Sequence, residues 1–276
     1  NAITRHLILI FAGMLLLVIL MSFYISRQVV RIDQKKNLAE KARQLEELRL
    51  KKLYELSQMT EKPINTMTVF ALEEAISLTR SEIGFLAFLN ADESLLTMHT
   101  WSRQAMMECE ITDKVLEYSV ADTGLWASAA RTRQPVIIND YVQYDSPEKK
   151  GYPRGHVRIS RMMTIPVFDK DKMVAVAGVG NKASDYNTSD VRQLQLMMDG
   201  MWKIIQKKKN EDDLRQSEEK YRFLTENATD VLWIMQMDNL EMSYVSPAIE
   251  SLLGYGFEEF IQLNISTYLG ETSVKK

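Results

Sequence analysis

The groups with which this chain could do covalent or metal chemistry are sparse. There is one cysteine, Cys109, and there are three histidines, His6, His99 and His156. No Cys/His pair stands at metal-ligand spacing. No Gly-rich nucleotide loop, P-loop or Ser-His-Asp order occurs, and no carboxylates cluster with the histidines. No catalytic or metal-ligating residue is therefore expected, and what remains are residues that recognise or position. Asp190 suits the first turn of a helix, where the helix dipole favours a carboxylate, and Lys182 is near enough in sequence to pair with it. A long loop over 139–157 holds two Pro, two Gly and three Tyr. A single cysteine rules out an intrachain disulfide and suits a reducing compartment.

Mixed helical and strand patterns must position these groups. The chain has 276 residues and a net charge of −3, which leaves no general basic surface for nucleic acid. Sixteen methionines read as adaptable core filling. The chain begins with Asn1 rather than Met and stops at Lys276 inside a recognisable pattern, as an internal fragment of a longer protein would.

A run of nineteen largely apolar residues, 7–25, is long enough to span roughly 28 Å, about one bilayer core. Arg27, Arg31, Lys35, Lys36, Lys41 and Arg43 follow it, and only Arg5 precedes it. The sequence thus predicts a transmembrane helix with everything after residue 25 on the cytoplasmic side. The run exceeds a signal-peptide core, and 22–27 offers no small-x-small cleavage site. Residues 26–62 read as a continuous charged helix. Leu38, Leu45 and Met59 fall on one heptad position and Ala42 and Leu56 on another, with Lys52 and Arg49 as interruptions. This pattern fits a short parallel coiled coil or a single amphipathic helix lying on the next domain.

From 63 to 207 the expected elements are a helix over 69–78, strands over 84–89 and 94–101, a short helix over 124–133 and a short strand over 136–138. A hairpin over 159–168 and 173–179 follows the loop. In the second hairpin strand both faces are apolar: Val174 and Val176 on one, Met173, Ala175, Ala177 and Val179 on the other. Something must cover each face. Helices would cover one, and a loop closing over a cavity the other, with room left by Ala175, Ala177, Gly178 and Gly180. A long helix starts near 189, with Val191, Leu194, Met198, Met201 and Ile205 as a heptad seam, and runs on through 208–220. From 221 a new unit begins with strands over 231–237 and 242–245, a turn at 238–239, and helices over 247–253 and 257–262. About fifty-five residues with two strands bury little core.

Several residue groups resemble known families. Asn181, Lys182, Tyr186 and Asp190 resemble the Asn-Lys-x-Phe-x-x-x-Asp-Glu motif of cyclic-nucleotide-binding GAF domains, with Tyr186 for Phe, Val191 for Glu and altered spacing. The segments 124–126, 133–141 and 151–157 look like GAF domains attached to bacterial sensor kinases. The resemblance implies a ligand pocket lined by Trp101, Trp126, Asn139, Tyr141, Tyr152, His156 and Arg161, suited to a small anionic or aromatic molecule. Each of these has a structural reading as well: the tryptophans as core, Asn139 as a turn cap, Arg161 in an ion pair. Cys109 is followed by Glu110 rather than the His usual beside a bilin-bearing cysteine. Tyr221, Arg222 and Phe223, with Tyr244, Val245, Ser246, Pro247 and Ala248, resemble the N-terminal half of a PAS domain. Bilin, haem and flavin are not supported, and the cofactor is unknown.

The resemblance therefore implies an α+β chain. Its parts are an extracytoplasmic stub (1–6), a transmembrane helix (7–25), a coiled-coil helix (26–62), a GAF-type antiparallel sheet flanked by helices (63–207), a helical linker (208–220) and an incomplete PAS-type unit (221–276). It implies the input module of a bacterial, plasma-membrane sensor histidine kinase with its GAF and PAS units cytoplasmic. Such a module would form a homodimer, and the whole protein would act on a response regulator. No phosphoacceptor His-Glu-acid-Pro helix and no Gly-Gly-Asp-Glu-Phe motif lies in the chain. Input to a diguanylate cyclase or phosphodiesterase, or a non-enzymatic membrane-tethered scaffold whose pocket is filled by side chains, remain alternatives.

Overall fold

The computed structural model describes residues 2–109, 116–151, 155–236, 242–254, 256 and 259–260, leaving out the side chains of 2–12, 15, 16 and 18. Two compact units divide the chain, 1–205 and 206–276. The first holds a six-stranded sheet in the order β3-β2-β1-β6-β5-β4, with every neighbouring pair antiparallel. Its strands are β1 (Ile83–Leu89), β2 (Leu95–Trp101), β3 (Glu117–Ser119), β4 (Val136–Ile138), β5 (Met162–Asp169) and β6 (Lys172–Gly180). Three helices serve one face: α1 (Ala2–Ser57), α2 (Ile64–Thr79) and α5 (Thr188–Glu226). The other face lies under α3 (Arg103–Glu108), a 3-10 turn (Leu125–Ala127), α4 (Ser128–Thr132) and the loop after β4.

Alternation along the strands sorts the core into two layers. Met163, Ile165 and Val167 of β5 meet Leu72 of α2, Leu194 and Met198 of α5 and Leu56 of α1. On the opposite side Ala87, Leu96 and Val176 lie beneath Ala127, Ala129 and Ala130, whose small side chains let α4 approach the sheet closely. Leu125, Ile138, Tyr141 and Met162 form a neighbouring cluster under the loop.

Two expectations are corrected here, and a third is refined. Among the described residues no helix is long and apolar enough to cross a membrane. The spanning helix over 7–25, the stub before it and the single-pass plasma-membrane placement therefore do not stand. The apolar stretch belongs to one 56-residue helix that runs unbroken into charged sequence. Its described side chains before Arg27 are discontinuous: Gly13, Met14, Leu17 and those from 19 onward.

The refinement concerns the helical seams, which pack on the chain's own core in the way of an amphipathic helix lying on the next domain. Leu56 is fully buried in the chain's own core, and Leu45 and Met59 pack against that core, whereas Leu38 is exposed. The seam of α5, from Val191 to Ile205, covers the sheet as well. A heptad stripe satisfies a sheet face as readily as a partner helix.

The second correction concerns β6. A register shift at Val167/Phe168 makes Val174 the extra residue of a bulge. Ala175 and Ala177 face the helices with Val179, and the bulge turns Met173 to the loop side with Val176. The space over Gly178 is filled: a Cβ there would sit 2.2 Å from the Phe85 ring. Sequence reading also missed α3 and β3, which are short, and the first turn of α2. Ser102 caps α3 by accepting from Ala105 N at 3.3 Å.

The second unit contains the end of α5, the antiparallel pair β7 (Trp233–Met235) and β8 (Met242–Val245), and α6 (Ala248–Leu253). Gly254 closes α6 at φ 77°, a left-handed cap that glycine adopts freely. An open groove of about 650 Å³ is lined by Tyr221, Thr225, Ile234, Val245 and Ile249 among others. Among the unit's described residues only Val245, Ser246 and Ile249 are buried. The turn expected at 238–239 lies outside the described residues, as does most of the helix expected over 257–262.

Gly178→Ala should destabilise the first unit by about 1–3 kcal/mol, because the Phe85 ring must move. Urea unfolding checks this, and Phe85→Leu should recover part of the loss.

Candidate functional site

The segment that leaves β6 and starts α5 is held from every side. Asn181 takes a left-handed conformation, φ 61°, which Asn tolerates better than most residues. Its Oδ1 accepts from the Ser160 backbone N–H at 2.9 Å, and its Nδ2 donates to Arg158 O at 2.8 Å. Lys182 Nζ then lies 2.7 and 2.6 Å from the two carboxylate oxygens of Asp190, with both side chains only 10% exposed. Asp190 stands in the first turn of α5, and its Oδ2 also accepts from Asn187 N at 2.9 Å.

Tyr186 sits between these groups. Its hydroxyl is 2.8 Å from Ser81 Oγ, and Lys182 Nζ lies 5.7 Å from its ring centre. Burial pushes its hydroxyl up to about 12, only partly opposed by the Ser81 bond. Asn139 grips the same residue by its backbone. Its Nδ2 donates to Tyr186 O at 3.1 Å, and its Oδ1 accepts from Tyr186 N at 2.7 Å. Arg161 donates to Asp185 at 3.1 Å and to Lys182 O at 3.4 Å. Asn139 and Arg161, expected in a pocket, thus belong with Asn181, Lys182, Tyr186 and Asp190 in one polar junction.

The loop-covered face is organised by residues that the sequence did not single out. Arg131 of α4 donates to Val120 O, Thr123 O and Gly124 O at 2.9, 2.7 and 3.0 Å. It also pairs with Glu148 at 2.7 Å, and this bond, with one from Ser128, holds the Glu148 carboxyl below its ordinary value. Trp126 lies edge-on to two other rings, 5.3 Å from Phe85 and 5.0 Å from Tyr118. Burial raises the Tyr118 hydroxyl. Thr164 Oγ1 and Arg131 Nε are buried without a hydrogen-bond partner. Thr164 alternates with Met163 and Ile165 of the helix-facing core, which places it on the loop side.

The other expected pocket residues do not converge. Trp101 packs beside Ile83, Ala105 and Val157 under α3, where Cys109 also lies. Tyr141 is buried with Leu125 and Met162, and its N–H donates to Ser160 O at 2.9 Å. His156 is exposed, with Nδ1 2.7 Å from Val157 O. Tyr152 lies outside the described residues. Among the described residues no group of His, Cys, Asp and Glu could hold a metal ion.

A family model described as GAF domain matches residues 61–206. A curated relative, the methyl sulfide methyltransferase-associated sensor of the archaeon Methanosarcina acetivorans, is 50% identical over 193 residues. That match covers 70% of this chain and 19% of the relative, so the chain spans about a fifth of that protein's length. Among solved structures, the GAF domain of a Coxiella burnetii phosphoenolpyruvate-protein phosphotransferase aligns with TM-score 0.46 and 10% identity, over 59% of this chain and 96% of that one. Residues 122 to 287 of a methyl-accepting chemotaxis protein align with TM-score 0.44 and 18% identity, over 55% and 96% of the two chains.

Lys182→Met should cost about 3–5 kcal/mol, since it leaves the Asp190 carboxylate buried without its cation. Adding Asp190→Asn should return much of that in urea unfolding. Tyr186 gives a second expectation. A phenol at about 12 when folded, against 10.0 ordinarily, stabilises the fold fully below pH 10. That share is lost as the pH climbs from 10 toward about 12. Stability measured across this range by urea unfolding should fall less for Tyr186→Phe.

Proposed function

The chain belongs to the GAF domain family, and we propose that it is the sensing and transmitting input module of a sensor histidine kinase. In this reading the loop-covered face receives a small anionic or aromatic molecule, and the polar junction passes its effect to α5. The observation that carries it is the Asn139 grip on both backbone groups of Tyr186, four residues before Asp190. A shift of the loop after β4 pulls on the segment that starts α5. Two buried groups suit a polar ligand on this face, Thr164 Oγ1 and Arg131 Nε, because each lacks a partner. Entry requires the Phe85 ring, which occupies the space over Gly178 and meets Trp126 edge-on, to move aside. A ligand favouring one loop position by ~1.4 kcal/mol shifts the population ratio tenfold.

The kinase output rests on the resemblance of a GAF unit followed by a PAS-like unit to the order found in sensor histidine kinases. The relative's printed name, a sensor, agrees with the sensing half of the reading. A homodimer and a response regulator complete it. One observation favours a second reading, a non-enzymatic scaffold: the aromatic rings already fill the expected cavity.

Full-length protein carrying Asn139→Ala tests the proposal. It should stay folded by circular dichroism, yet its histidine phosphorylation from ATP should no longer respond to the stimulus that drives the wild type. A variant that responds normally would remove the relay. Absence of phosphohistidine under every condition would remove the kinase output. A wild type indifferent to all small molecules would favour the scaffold.

A further inference from the structure

We propose that α1 and α5 are locked side by side in one register, and that this lock passes a displacement of α1 directly into α5 without involving the loop-covered face. Three contacts set the pairing, and they come in the same order along both helices. Glu46 meets Arg192 at 2.9 Å. Arg49 Nη1 donates to Gln193 Oε1 at 3.1 Å. Leu53 lies against Gly200, where a Cβ would come within 2.5 Å of a Leu53 methyl carbon. The two helices therefore run parallel, and Leu56 and Ile205 join the same core below them.

The Arg49–Gln193 and Leu53–Gly200 contacts resist sliding, each for its own reason, whereas the exposed Glu46–Arg192 pair only marks the register. Arg49 is 7% exposed and Gln193 4%, so a step of one turn would strand a buried guanidinium and a buried amide. Gly200 is the only glycine of α5, and one turn away stand Leu196 and Ile204. Leu53 has no equivalent notch to enter at either place. Lys52 fixes the rotation of α1 from another side through Glu74 of α2, at 3.1 Å. Arg49 and Lys52 are the two residues that break the heptad pattern of α1. They key the helix to its own domain, which is why the seam for a partner helix is imperfect there.

With the register fixed, a push or rotation arriving along α1 moves the first half of α5 in the same sense. The chain then has two inputs to one helix: the loop after β4 through Asn139, and α1 through Leu53 and Arg49. The second is independent of any ligand and of the reading given above.

Cysteine pairs in a Cys109→Ser background test the lock. Leu53→Cys with Gly200→Cys should close an intrachain disulfide under mild oxidation, about tenfold or more faster than Leu53→Cys with Ile204→Cys. Adding Asn139→Ala should leave that ratio unchanged. Equal rates for the two pairs would mean that the helices slide, and bonds between chains would mean that α1 pairs with a second copy. Either result overturns the proposal. Hydrogen exchange on Gly200→Leu gives a readout without cysteines. Exchange should quicken in both 45–56 and 192–205, and Leu53→Ala should restore both. Quickening confined to α5 would overturn the lock.

Discussion

A buried ammonium and a buried carboxylate, Lys182 and Asp190, decide where the last strand stops and α5 begins. Neither charge is tolerable in that place alone, so the two positions are bound to each other. The seven residues between them become a short arch of fixed span. Everything gathered around the arch exploits its fixity: Asn139 and Arg161 from the β4–β5 side, Ser81 from the end of α2, and Asn181 at its root. The sheet edge, the loop and two helices meet there. A local ion pair thus serves as the reference point from which four elements take their positions.

The sheet explains the rest of the architecture. Its central strands are apolar on both faces, and each face has found a different cover. Long side chains from three helices fill one. Alanines of α4 and an aromatic trio fill the other. The loop side carries the polar staples, with Arg131 binding three carbonyls and Glu148, and the unsatisfied Thr164 hydroxyl. The helix side is closely packed, and the loop side holds its residues by directional bonds that can be exchanged.

Much of the fold was legible because its signals are local. The strands β1, β2, β4 and β8 fall within a residue of where alternation and turn residues place them, and Gly254 ends α6 as a cap should. What misled was information that only the folded chain contains. The stripe Leu45, Leu56 and Met59 has a spacing that either a partner helix or a sheet can satisfy. The bulge at Val174 set Met173 off the face of Ala175 and Ala177, and one inserted residue leaves no trace in composition. Asn139 and Arg161 were expected to line a pocket, but side-chain direction is invisible in sequence, and both bond to the arch. Arg131 and Phe85 gave no signal at all, since an arginine in a short helix and a phenylalanine in a strand are commonplace.

The parallel run of α1 and α5 has a consequence for how such chains grow. A helix arrives, and another departs alongside it with the same heading, so the sheet hangs to one side of the chain's path. Over 192–205, α5 keeps the heading that α1 has over 46–56. A segment of this construction can be inserted into a helical chain, or repeated along it, without reversing its course. Each copy adds a lateral overlap, 46–56 beside 192–205, in place of an end-to-end join. Modules built this way can be strung in series and exchanged among proteins while the polarity of the chain is preserved.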